Sequence, residues 1–381
     1  MDFKFTEEQE MWRKSMQDFT EKEAGREYTR QCDLESRYPQ ELWDAGVKQG
    51  FLGMVVPEEY GGTGVDVMHF VIMAECLAKY SYEMASVFHV PMFCVMNVVH
   101  HGTEEQKKRY LPPFAKGEQR FSISITEPEA GSDAASLSIS AEVKEDHFLL
   151  NGRKQFSTGA QLPNNTMVMA VRTDKEVKPR QAGITILLVP NDLPGIEVQR
   201  LGLIARRAMG TCSIFAEDAR VPKENLIGEI NKGWAVLTGH LELERIAGSA
   251  AALGEAQSTL DDAVAYAKQR VQFGQPIGKF QEIGHRLAHL HAELQAARWL
   301  LYRAAWMNQE GIPCINEASM AKLLVTETFH QICLAGMQTM GGYSLLPESD
   351  FERHWRTSRY MVVGAGSTQI QHMILARSLG L

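Results

Sequence analysis

The sequence predicts an α+β protein in three successive segments: an N-terminal helical domain, a middle antiparallel β domain and a C-terminal four-helix bundle. Two observations carry this. Apolar residues recur at helical spacing in the first and last thirds but alternate with polar residues in the middle, and no βαβ alternation appears. The expected domains are 1–118, 119–230 and 231–381.

In the first segment, Thr6 followed by Glu8 and Gln9 starts a long amphipathic helix, and Pro39 with Glu41 starts another. Helical stretches follow at Val67–Tyr80 and at Tyr82–Gly102, the latter expected to be interrupted or bent at Pro91. The run TEEQKKRYLPPF is expected to break at Pro112–Pro113. The middle segment holds alternating runs such as HFLLNG, TMVMAVRT, AGITILLVP and TCSIFAEDARVP. Asn151-Gly152, Pro163-Asn164 and Pro190-Asn191 mark their turns. In the last segment the expected helices are Gly233–Tyr266, Gln281–Gln309, Asn316–Met340 and Ser367–Ser378.

Composition narrows the function. The 381 residues carry 39 Lys+Arg against 47 Asp+Glu, net −8, which argues against a broad phosphate-neutralising surface and hence a nucleic-acid binder. No apolar run of about 18–20 residues is evident, so no membrane-spanning segment is expected. The N-terminus lacks a signal-peptide core. Six cysteines (Cys32, Cys76, Cys94, Cys212, Cys314, Cys333) have no CxxC spacing and read as reduced thiols of a cytoplasmic protein. His285, His289 and Glu293 share one helix face but lack a ligand from a second segment, so no metal is expected.

Three motifs go beyond this background. TEPEAGSD, Thr126–Asp133, leaves a β-prone run with small residues and hydroxyls that let backbone amides approach a ligand. RVQFGQPIGKFQ, Arg270–Gln281, brings a cation, an aromatic ring and an amide to one interhelical loop. QTMGGYS, Gln338–Ser344, and VVGAGSTQIQH, Val362–His372, place glycines at helix termini, where free N–H groups bind anions. Each alone also fits an ordinary loop.

Together, in this order, they resemble the acyl-CoA dehydrogenase family of flavoproteins. The resemblance runs from PEEYGG at Pro57–Gly62 through RVPKENLIGE at Arg220–Glu229 to the last helix. It implies the acyl-CoA dehydrogenase fold, bound FAD, a homotetramer built as a dimer of dimers, and an electron-transfer flavoprotein as electron acceptor. By motif matching, Ile125 and Thr126 meet the isoalloxazine ring and Ser132 the phosphate region. Phe156, Ser157 and Thr158 cover the ring's other side, with Phe156 where the family usually has Trp. Arg270, Phe273, Gln281, Gln338, Gly341 and Gly342 are implied to hold the adenine and pyrophosphate end across a subunit interface, with Ser367 and Gln369 completing the set.

The family reaction removes the α-proton of a thioester while hydride leaves Cβ for flavin N5, so it needs a carboxylate base and donors to the thioester oxygen. Many members carry the base where this chain has Ala365, which cannot act as one. Others, including isovaleryl-CoA dehydrogenases, carry it on a bundle helix. There, Glu244 falls on the stripe of Leu237, Leu241, Gly248 and Ala251, and the Glu244-Arg245 pair matches. Glu244 is the expected base. Ser132, Arg245, Gly364 and Ala365 are expected to contact the substrate, and small residues at 364 and 365 favour a branched, cyclic or bulky acyl group. Phe88, His89 and Met92 read as core, with lining of the acyl end as the alternative reading. The CDLESRYP stretch is similar to crotonobetainyl-CoA reductases, and ITEPEAGSD with a Glu-Arg base is shared with prolyl-carrier-protein dehydrogenases. Open alternatives are therefore a carrier-protein thioester, an enoyl-CoA reductase, or a non-redox scaffold subunit.

Overall fold

The structure is a computed structural model that describes residues 4–64, 67–239 and 241–381. In chain order, the first helices are α1 (Glu7–Glu23), α2 (Arg26–Leu34), α3 (Gln40–Lys48), α4 (Val67–Leu77), α5 (Tyr82–His101) and α6 (Glu104–Ala115). The strands are β1 (Arg120–Ser124), β2 (Ser140–Val143), β3 (His147–Thr158), β4 (Asn165–Arg172), β5 (Ile184–Pro190), β6 (Ile196–Arg200), β7 (Thr211–Pro222) and β8 (Leu226–Ile227). Then come α7 (Gly233–Thr238), α8 (Leu241–Gln269), the small hairpin β9 (Val271–Gln272) and β10 (Gln275–Pro276), α9 (Gln281–Gln309), α10 (Ile315–Met340), α11 (Phe351–Met361) and α12 (Thr368–Ser378).

The chain forms two compact units. One comprises Ser36–Val65 and Val87–Leu241 and is centred on the sheet, ordered β6-β7-β3-β2-β4-β5-β8 with β1 alongside β4. Pairing is antiparallel except for β1 against β4 and a single Ser140–Arg172 pairing of β2 with β4. The parallel pair departs from the purely antiparallel expectation. β1 and β4 are separated in sequence by β2 and β3, and such a crossover permits parallel pairing. β5 is buried along nearly its whole length, and β4 throughout. A capping box of Thr103 and Gln106 starts α6. The Gln106 amide also donates to the carbonyls of Glu224 (2.7 Å) and Leu226 (2.8 Å), tying that helix to the sheet's far end.

The other unit comprises Met1–Glu35, Asp66–Ser86 and Glu242–Leu381. Long helices α8, α9 and α10 run through it. Charge joins α2 to α11 and the residue before it: Arg26 (2.7 Å), Arg30 (3.0 Å) and Arg353 (2.9 Å) converge on the buried Asp350 carboxylate, and Arg356 reaches Asp33 at 2.6 Å.

Four expectations need correction. α6 does not break at Pro112–Pro113; it continues to Ala115. α5 runs unbroken through Pro91. Burial of Tyr110, Leu111 and Phe114 around the first site, and of nearly every residue around the second, outweighs the ~3 kcal/mol an interior proline costs. The helix expected over Gly233–Tyr266 is two, because α7 ends with Gly239 as its cap and α8 begins at Leu241. Finally, α5 is long and apolar enough to cross a membrane, with mean hydropathy 1.3, although 94% of that window is buried inside the protein. It is a core helix.

Candidate active site

In the sheet unit, the loop after β1 is held from beneath by β3. The Lys154 ammonium donates to the Ile125 carbonyl (2.8 Å) and to Glu127 (2.9 Å), while the Gln155 N–H donates to the Thr126 carbonyl (2.8 Å). Glu127 also accepts from the Ser138 N–H (2.7 Å), the Ser138 hydroxyl (2.8 Å) and the Ile139 N–H (3.0 Å). Burial pushes the Glu127 carboxyl up, but Lys154 and these N–H donors hold it below its usual range. Burial pushes Lys154 down to about 8, with Glu127 pulling the other way, so both are charged at neutral pH. Ile125 and Thr126 are thus fixed by main-chain contacts, and Ser132 lies exposed beyond them.

The β3–β7 ladder slips between Lys154 and Ser157, and Phe156 inside this bulge has φ +62°. A bulge re-aims a side chain, and the Phe156 ring is 55% exposed. Ser157 is buried with its hydroxyl 2.7 Å from that of Ser124, and Thr158 lies 3.4 Å from Thr211. Phe156 is therefore the member of this triplet that presents a face for a planar ligand. Phe88 is core: it stacks on Trp43 at 6.0 Å and meets Phe51 edge-on.

In the bundle unit, an open groove of about 620 Å³ is lined by Arg270, Phe273, Gln338, Gly341, Gly342 and Tyr343, among others. Phe273 tops the β9–β10 hairpin with φ +50° and is 94% exposed. Gly341 and Gly342 have open space where a Cβ would stand. They follow the C-terminus of α10, where the Gly341 N–H caps the Met337 carbonyl. Gln281 does not line the groove; it is the exposed first residue of α9. A guanidinium, an amide, an aromatic face and a bare backbone suit a pyrophosphate joined to a planar base. The groove residues fit that end of FAD.

Glu244 sits half-buried in the first turn of α8. Burial raises its pKa above the usual 4.5, while Arg245 and Lys322 draw it down. Leu241, Gly248 and Ala251 share its helix, but Leu237 belongs to α7, so the stripe inferred from sequence is shorter than expected. Glu242 turns away and accepts from the Cys314 thiol at 3.2 Å. Arg245 is 6% and Lys322 2% exposed, yet Arg245 Nε and Nη1 and Lys322 Nζ have no hydrogen-bond partner among the described residues. Lys322 was not singled out from the sequence; its burial at α10 is visible only in the fold.

The loop before α12 turns through Ala365 at φ +52° and Gly366 at φ +79°. Ala365 is exposed, and its N–H makes no backbone hydrogen bond among the described residues. Ser367 stands at the N-cap position of α12 without a side-chain capping bond, and Gln369 is exposed in the first turn. Gly364 is bare, but the room is occupied: a Cβ there would lie 3.0–3.2 Å from the Tyr360 ring and hydroxyl. The space expected from Gly364 is filled by an aromatic ring one turn back on α11.

Family models for the N-terminal, middle and C-terminal domains of acyl-CoA dehydrogenases match residues 6–118, 122–219 and 231–380. The chain belongs to the acyl-CoA dehydrogenase family. It is 36% identical to the 3-(aryl)acrylate reductase of Clostridium sporogenes, over 98% of this chain and 99% of the relative. It is also 36% identical to the CarC subunit of the caffeyl-CoA reductase-Etf complex of Acetobacterium woodii, again over 98% and 99%. Among solved structures it is similar to butyryl-CoA dehydrogenase from Megasphaera elsdenii, with TM-score 0.94, 32% identity and full coverage of both chains. An FAD complex of PigA matches with TM-score 0.94 at 27% identity, likewise over both whole chains. This acyl-CoA dehydrogenase is an FAD-dependent oxidoreductase acting on CH–CH bonds.

Proposed function

We propose that this enzyme carries out α,β-dehydrogenation of an acyl-CoA thioester with a bulky, branched or cyclic acyl group, with Glu244 as the base. The observation that supports this reading is a half-buried carboxylate of raised pKa at the start of α8, in a chain whose loop position 365 is alanine. Bound FAD supplies a hydride acceptor at N5. Glu244 takes the α-proton onto its carboxylate, the Ala365 N–H donates to the thioester oxygen, and Arg245 and Lys322 keep the carboxylate ionisable despite burial. Ile125, Thr126 and Phe156 position the flavin ring. Ser132, Arg270, Phe273, Gln281, Gln338, Gly341, Gly342, Ser367 and Gln369 bind the rest of the cofactor, the groove residues serving the FAD of a second copy in a homotetramer. Electrons pass to an electron-transfer flavoprotein, as the name of the Acetobacterium relative's complex suggests. The chain is assigned to the cytoplasm, in the domains 1–118, 119–230 and 231–381.

Anaerobic addition of acyl-CoA thioesters to the yellow protein tests this. Flavin bleaching is the expected result; failure of every thioester to bleach it overturns the reading. The two reductase relatives favour a second reading, the same chemistry run towards saturation. Reduced enzyme reoxidised faster by an enoyl-CoA than oxidised enzyme is bleached by the saturated thioester would establish it.

A further inference from the structure

Within the bundle unit, the loop of residues 362–367 joins α11 to α12 and carries the Ala365 N–H. Two consecutive residues in it turn left-handed, Ala365 at φ +52° and Gly366 at φ +79°. A residue with a side chain keeps such a backbone only where its surroundings over-determine it. On the α11 side, the Val363 N–H (3.0 Å) and the Gly364 N–H (2.8 Å) both donate to the Tyr360 carbonyl. On the α12 side, the Thr368 N–H closes the loop onto the Val362 carbonyl at 3.1 Å, and the Thr368 hydroxyl donates to Glu327 of α10 at 2.5 Å. The Gln371 amide donates to the Gly366 carbonyl at 2.8 Å. That approach requires a bare residue, because a Cβ at Gly366 would lie 2.9 Å from the amide nitrogen. Gln371 is fully buried, yet its amide oxygen has no hydrogen-bond partner among the described residues. A half-satisfied buried amide is costly for folding, so an apolar side chain would serve packing better. What the amide adds is the tie to Gly366.

We propose that Gln371 and Thr368 are positioning residues that lock this loop so that the Ala365 N–H points at the thioester oxygen. The inference rests on the proposed function, in which that N–H is a donor, and adds the side chains that aim it. The peptide between Gly364 and Ala365 is fixed from both ends, by the Tyr360 carbonyl before it and by the ties of Gly366 and Thr368 after it. A donor aimed in advance needs no reorganisation as negative charge grows on the oxygen. Its misalignment therefore slows the chemical step more than it weakens binding.

The test uses the oxidised FAD-loaded enzyme with 3-methylcrotonyl-CoA labelled with carbon-13 at the carbonyl, a thioester already unsaturated between Cα and Cβ. A hydrogen bond to a carbonyl weakens its C=O bond. In isotope-edited infrared difference spectra the wild-type enzyme should therefore show the labelled stretch at lower wavenumber than the free thioester. Gln371→Met keeps the bulk without the amide donor, and Thr368→Val keeps the shape without the hydroxyl. Each should return the band towards its free position. Each should also lower kcat for flavin bleaching by isovaleryl-CoA about tenfold, with KM changed by less than about threefold, a smaller loss than removing an oxyanion donor outright. Thr368→Ser, which restores the hydroxyl, should recover both. The visible flavin spectrum shows that each variant is folded with FAD bound, and thermal unfolding reads its stability. A downshifted band that is unchanged in folded Gln371→Met and Thr368→Val overturns the positioning role, even where their melting temperatures fall, and leaves the dehydrogenase reading intact. No downshift in the wild-type enzyme overturns Ala365 as the donor, and with it the reading beneath.

Discussion

Two carboxylates, one buried and one half-buried, each near a buried lysine, are handled in opposite ways. Glu127 in the sheet unit accepts four hydrogen bonds, one from Lys154, and the lysine spends its remaining reach on the Ile125 carbonyl. In the bundle unit, Glu244 has Arg245 and Lys322 as charged neighbours, yet the lysine nitrogen and two of the arginine nitrogens have no hydrogen-bond partner among the described residues. The first arrangement resembles masonry: every donor is used and the main chain of a flavin-contact loop is fixed. The second sets carboxylates near both cations but leaves desolvated donors without hydrogen bonds, which is costly for folding but keeps a proton acceptor responsive. Partner count, more than burial, separates a carboxylate that holds structure from one suited to chemistry.

The contrast can be broken most forcefully at the base. Glu244→Gln should keep bound FAD and lower the rate of flavin bleaching by about 10²–10⁴-fold in anaerobic stopped-flow, the range a general base contributes. Next is the fixed pair. Lys154→Met strands a buried carboxylate and should cost about 3–5 kcal/mol in denaturant unfolding, with part regained in the double variant Lys154→Met/Glu127→Gln. The partnerless lysine should behave differently. Lys322→Met removes a desolvated charge, so stability should change little or improve, while the acid limb of the kcat/KM–pH profile moves upward because Glu244 loses a cation that held its pKa down. The sign follows from burial. Folded Glu244 keeps its proton to higher pH than an unfolded carboxyl, so its contribution to stability is present at low pH and fades as pH rises through the folded pKa. Activity appears over that same rise. The smallest effect is expected from Gly364→Ala, whose Cβ meets the Tyr360 ring at 3.0 Å; a loss of about 1 kcal/mol in unfolding experiments should be relieved when Tyr360→Ala is added.

Much of the fold is written locally. α9 begins and ends at the residues its periodicity predicts, and the capping pair Thr6–Gln9 opens α1 as read. The same locality exposes Glu244, since an alanine at 365 and a Glu-Arg pair on a helix are both visible in one dimension. α11 was missed because its inward residues include Arg353, His354, Arg356, Thr357 and Ser358. A helix buried through charge carries no apolar stripe to read. The prolines of α5 and α6 misled for a related reason: their penalty is local, whereas the burial that offsets it comes from distant chain. Glu127 and Lys154 lie 27 residues apart, and only the β1–β3 arrangement pairs them. Gly364 pointed to empty space because sequence records a missing side chain, not the neighbour that moves in.

That last exchange has a consequence for descent. Positions 360 and 364 share one volume, so a large residue at one requires a small residue at the other. Neither can drift alone: a lineage that acquires a bulky side chain at 364 must first, or at once, surrender the ring at 360. Homologues should therefore divide into two steric classes with few intermediates, and the boundary between them should coincide with a change in what the enzymes accept.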